Sequence, residues 1–154
     1  MKKTNLSALI RNLTVLVFLL SFTACATISS FDQYAYTQTT SLKVDAMNTM
    51  DLATDEYTTH EKTVQDLQTK LQKVYEYGKN RPQNGITLKM WDKLLDANGH
   101  LLGGFIKRWQ NEHKLNAVFV REEKKIIDEA FDQIAGLESH KIKTPNLRQL
   151  TDKL

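Results

Sequence analysis

From Asp32 to Tyr77 the chain contains neither glycine nor proline, and from Ala53 to Gly78 its apolar positions keep one strict rhythm. Ala53, Tyr57, His60, Val64, Leu67, Leu71, Val74 and Gly78 alternate spacings of four and three, which places them on a single helical stripe. The stripe continues weakly upstream through Ala46 and Met50. Glu61, Lys62, Asp66, Lys70 and Lys73 fall between its members as a solvated face, with Asp66 and Lys70 spaced as an i,i+4 pair. This pattern predicts a long N-terminal helix, about 70 Å if straight and unbroken. Thr58-Thr59-His60-Glu61 has the form of a capping box, so a division near Thr58 is the alternative. The uninterrupted stripe favours one piece.

Downstream, the chain is punctuated. Residues 78–86, GKNRPQNGI, read as a turn, with Gly78 able to close the first helix in a left-handed conformation and Thr87 able to cap the next. Leu88, Trp91, Leu95, Asn98, Leu102, Phe105 and Trp109 resume the same rhythm, and Asp96-Ala97-Asn98-Gly99 supplies the chemistry for a break within it. Gly103 and Gly104 each weaken a helix by roughly 1 kcal/mol relative to alanine, but on a packed face they allow close approach. A further boundary falls at His113–Asn116, with Asn116 as N-cap and Glu122 and Glu123 early in the following helix. The last stripe runs through Phe119, Glu123, Ile126, Ala130, Ile134 and Leu137, with Ile127 and Phe131 as alternative members, and Gly136 should fray its end. No strand alternation or internal repeat of useful length accompanies these helices. The expected fold is all-α: a long N-terminal helix packed antiparallel against two or three shorter ones, as a helical hairpin or up-down bundle.

The first 25 residues have a different character. Lys2, Lys3 and Arg11 precede an apolar run from Leu13 to Leu20, which ends in Phe22-Thr23-Ala24-Cys25. A basic start, a short apolar run and small residues before a cleavage point are the marks of an export signal. The run is shorter than the roughly 20 residues a spanning helix needs. With the chain's only cysteine directly after Thr-Ala, the segment resembles the signal and lipobox of bacterial lipoproteins. That resemblance covers residues 1–25 and implies removal of residues 1–24, lipidation of Cys25, and a mature chain beginning at that cysteine. In that family the residue after the cysteine influences sorting. Ala26, rather than aspartate, implies the outer membrane facing the periplasm in a cell with two membranes, and outward display in a cell with one.

This division changes the reading of charge. Three of the 21 lysines and arginines and none of the 18 acids precede Cys25, so residues 25–154 carry 18 of each. The net +3 therefore gives no reason to expect nucleic acid as a partner. With Cys25 acylated no thiol remains for a disulfide, and stability must come from packing. The expected organisation is a signal at 1–24, the lipidated cysteine and a flexible tether at 25–31, a helical domain at 32–138, and a basic, loosely ordered tail at 139–154.

No familiar catalytic arrangement is present. The histidines lack the HExxH or i,i+4 pairing that holds zinc on a helix. An EF-hand register that sets Gly99 at the sixth position puts Leu94 and Phe105 where carboxylates belong. The pairs Asp55-Glu56 and Glu122-Glu123 read as solvated charge rather than as acids facing across a cleft. No catalytic residues, no metal and no cofactor beyond the covalent lipid on Cys25 are expected. The leading expectation is a non-catalytic, lipid-anchored scaffold or accessory module that binds another envelope protein through Tyr57, His60, Val64, Leu67 and Leu71, if that stripe is open. A second is a small-ligand binder or sensor with an interhelical pocket at Trp91, Phe105 and Trp109; a third is an envelope hydrolase.

Overall fold

The computed structural model describes residues 29–140, an all-helical arrangement without strands; Cys25 and the tail beyond His140 lie outside the described residues. Five α-helices follow in order: α1 Gln33–Asp51, α2 Tyr57–Lys79, α3 Gly85–Leu95, α4 Leu102–Glu112 and α5 Ala117–Glu138, with a 3-10 turn at Leu52–Thr54 between α1 and α2.

The apolar stripe thus belongs to two helices, not one. Both halves need a partner for the same face, and folding the chain back lets each serve the other. Leu42, Ala46 and Met50 of α1 and Val64, Leu67 and Leu71 of α2 are all buried in one core. The rhythm survives the bend because Met50, Ala53 and Tyr57 all point inward across it. Antiparallel packing is recorded at both ends: the Tyr77 hydroxyl late in α2 donates to Asp32 ahead of α1 (2.7 Å), and Lys70 pairs with Asp45 across the two helices (2.8 Å). Lys70 therefore reaches between helices, while Asp66 takes its i,i+4 partner from Lys62.

Helices α3 and α4 run one after the other back along α2, and α5 returns beside α1. Lys43 of α1 bridges Asp128 (3.0 Å) and Asp132 (2.7 Å) of α5, and Lys124 pairs with Asp51. The result is an up-down-up-down bundle whose third member is split at residues 96–101. That split follows the turn chemistry read in the sequence: the Asn98 amide donates to the Asp96 carboxylate (2.8 Å) and the Gly99 amide to the Asp96 carbonyl (3.0 Å). At the α4–α5 junction, Asn116 caps α5 by accepting from the Val118 amide (2.8 Å), as its side-chain chemistry favours.

Two glycine expectations change. Gly78 stays helical, and the turn takes its left-handed residue from Gln83 (φ 56°). Asn84 then donates its side-chain amide to the Gly78 carbonyl (2.9 Å), while Thr87 is buried inside α3 and does not cap it. Gly136 does not end α5, which continues to Glu138. By contrast, Gly103 and Gly104 are where close approach is obligatory: a Cβ would sit 2.3 Å from the Leu95 carbonyl oxygen and 1.9 Å from that of Gly99. Neither backbone oxygen can step aside without moving the 96–101 turn. Gly104→Ala is therefore expected to destabilise the domain by about 1–3 kcal/mol or more, read as a lowered urea midpoint by circular dichroism.

Candidate functional site

The structure brings the two predicted sites together in part, but as core. Val64 is fully buried, and Tyr57, Leu67 and Leu71 are nearly so, with His60 half-buried at the margin. The stripe is thus not an open surface of this bundle, because α1, α3 and α4 pack against α2 and its residues join the common core. Trp91, Phe105 and Trp109 do not frame a common pocket either. Trp91 meets Phe131 edge-on (6.0 Å), Phe105 stacks on Phe119 (6.1 Å), and Trp109 meets Tyr57 edge-on (5.4 Å). Each ring is filled by a different aromatic partner, the arrangement expected of core anchors. Trp109 also lies 6.0 Å from His60 and donates its indole N–H to the Asp55 carbonyl (3.0 Å), which ties α4 to the α1–α2 bend.

The most concentrated polar chemistry lies at the other end of the bundle. Arg81 follows the C-terminus of α2, and its side chain is only 9% exposed. Its guanidinium donates to the Glu138 carboxylate at the end of α5, to the Ser29 hydroxyl (2.5 Å) and to the Ser30 carbonyl (3.0 Å), and its Nε lies 3.4 Å from Asp32. The His140 ring N–H donates to the Ser29 carbonyl, and Asp32 also caps α1 by accepting from the Ala35 amide (2.9 Å). The placement is electrostatically consistent. Arg81 sits where α2 and α5 both end, at the negative poles of two helix dipoles, and Asp32 sits at the positive pole of α1.

The two carboxylates respond in opposite directions. Burial pushes Glu138 above the ordinary glutamate value, with Arg81 offsetting part of the effect. Burial also opposes ionisation of Asp32, but the Ala35 amide, the Tyr77 hydroxyl and Arg81 together hold its carboxyl below the usual range. A pair with divergent acidities is the arrangement an acid–base enzyme uses. Here the guanidinium lies between them, Nε toward Asp32 and Nη1 toward Glu138, so the cluster ties the start of α1 to the ends of α2 and α5. The clamp also alters the expected tether: Ser29 is buried, so the chain is held from that residue onward.

Sequence reasoning missed this cluster, although half of it was marked. Ile127, Phe131, Ile134 and Glu138 keep the 4-3-4 rhythm of the buried face, so a carboxylate on an apolar stripe was the available signal. Arg81, in a turn rich in polar residues, carried none. Among the described residues no three His, Cys, Asp or Glu side chains gather as a metal site requires, and no helix is long and apolar enough to cross a membrane. No family model matches this chain, and comparison with curated proteins and with solved structures yields no match.

Two outcomes follow. Val64→Asp places an unpaired charge in the core and is expected to cost more than about 3 kcal/mol, with loss of the helical circular dichroism signal. Glu138→Gln removes a carboxyl that ionises more readily unfolded than folded. As pH rises from the ordinary value of 4.5 through the raised one, the wild type should therefore lose stability relative to the variant, measured by urea titration across that window. The Asp32 contribution has the opposite sense: it is present above 3.8 and is lost as pH falls through its depressed value.

Proposed function

We propose that this chain is a lipid-anchored helical module of the bacterial cell envelope, acting without catalysis as a scaffold, accessory or inhibitory subunit for another envelope protein. The observation that carries the reading is the position of Cys25 at the end of a lipobox-like segment, only four residues before the folded domain takes hold at Ser29. The balanced charge of residues 25–154 gives no support for a nucleic-acid partner. Localisation follows the anchor: the outer membrane, facing the periplasm, in a cell with two membranes.

Partner contact on this reading uses the outer faces of the helices, since the Tyr57–Leu71 stripe is spent on the core. A ligand pocket at Trp91, Phe105 and Trp109 has no comparable support, because aromatic side chains already fill that space. In-cell crosslinking followed by pull-down and mass spectrometry of wild type and Cys25→Ser tests the proposal. The expected result is one dominant envelope protein, enriched several-fold with wild type and lost with the unanchored variant. Equal recovery from both, or no enriched envelope protein with either, overturns it.

A further inference from the structure

Ser29 and His140, the first and last described residues, are hydrogen-bonded to each other, so the described fold begins and ends at the same end of the bundle. Only Ala26, Thr27 and Ile28 separate Cys25 from the clamped Ser29, a reach of at most about 14 Å even when fully extended. Whatever Cys25 is attached to, this end of the bundle is held close to it.

The same end carries an unusual surface. Phe31, Tyr34 and Tyr77 are 55%, 51% and 39% exposed, and they make up three of the five large apolar side chains exposed among the described residues. The Tyr34 and Tyr77 rings meet edge-on at 4.8 Å, and the Tyr77 hydroxyl is bonded to Asp32, the residue that follows Phe31. Three aromatic residues are therefore gathered around the point where the anchored segment enters the fold. The other two of the five, Val44 and Val118, are single aliphatic residues elsewhere on the bundle, so among the described residues the exposed aromatic surface is confined to this end. The segment that leaves the same end begins with Lys141 and Lys143, and residues 139–154 hold four cations against one acid.

We infer that the Phe31–Tyr34–Tyr77 end is a membrane-seating surface, whose aromatic rings rest in the headgroup zone of the phospholipid bilayer that holds the anchor. The inference rests on the lipidation of Cys25 proposed above. Tyrosine suits the site because its ring is apolar and its hydroxyl is not, which favours the boundary between acyl chains and water. A seated end gives the bundle a defined orientation. The α1–α2 bend and the start of α5 then point away from the bilayer, separated from it by the length of α2, about 34 Å for its 23 residues.

Acylation of Cys25 leaves no other thiol, so a single introduced cysteine can carry a fluorophore. The lipidated full-length mature protein, labelled at Tyr34→Cys or at Val118→Cys at the far end, is reconstituted in phosphatidylethanolamine–phosphatidylglycerol vesicles containing headgroup-region spin-labelled lipid. Emission from position 34 should be quenched several-fold more than emission from position 118. Phe31→Cys provides a second reporter should Tyr34→Cys disturb the fold, as judged by circular dichroism. Equal, weak quenching at both ends of a protein whose Cys25 is acylated by mass spectrometry overturns the seating surface alone. An unacylated Cys25 overturns the anchored reading, and the seating surface with it.

Discussion

Between Leu52 and Tyr57 the backbone leaves α-helical geometry, and the Ala53 carbonyl and Tyr57 amide, which belong to buried residues, need partners from outside the bend. Those partners come from the α4–α5 junction. The Tyr57 amide donates to the His113 carbonyl and the Leu115 amide to the Ala53 carbonyl, each at 2.8 Å, while the Trp109 indole takes the Asp55 carbonyl. His113 adopts a left-handed conformation (φ 66°) to make this possible. Two turns distant in sequence thus complete each other's hydrogen bonding, and the register of all four bundle positions depends on that junction.

The opposite end is organised by charge. Three helix termini converge on Arg81, which follows the C-terminus of α2 and pairs with the carboxylates of Asp32 ahead of α1 and Glu138 at the end of α5. A guanidinium fits because its five donors spread over a planar fork, so one side chain can serve two carboxylates and the Ser29–Ser30 backbone segment at once. A buried ion pair of this kind adds little net stability beside an apolar substitute, but it is costly to break. Its evident consequence is positional: Ser29 and His140, far apart in sequence, are held side by side. The physics of the two ends therefore differs, with backbone hydrogen bonds setting the bend at one and long-range charge setting the attachment at the other.

The legibility of each boundary follows from its chemistry. The turns at 78–86, 96–101 and 113–116 contain Gly, Pro or Asn placed to bend a chain, and all three were readable. The bend at 52–56, Leu-Ala-Thr-Asp-Glu, contains none of these; the capping-box pattern at Thr58–Glu61 was the one local sign of a division, and the unbroken apolar rhythm outweighed it. The stripe and the aromatic residues were read as a candidate partner surface and a candidate pocket, and their value as sites turned on what lay opposite them. A face looks the same in sequence whether it meets another helix of the same chain or a separate protein. At the clamp, Glu138 broke the apolar pattern of α5, whereas Arg81 and Ser29 had no pattern to break.

The sequence by itself determined the helical class, the polarity of each face, most of the boundaries and the export-like segment ending at Cys25, because spacing, turn chemistry and hydropathy are local properties. Tertiary structure alone decided that the first stripe folds into a hairpin, that the tryptophans are filled core positions, and that Ser29 and His140 meet beside one exposed aromatic surface. Those outcomes depend on contacts between residues such as Ala53 and Leu115 or Ser29 and His140. The free energy of bringing such distant groups together belongs to the whole packed bundle and cannot be read from either segment alone.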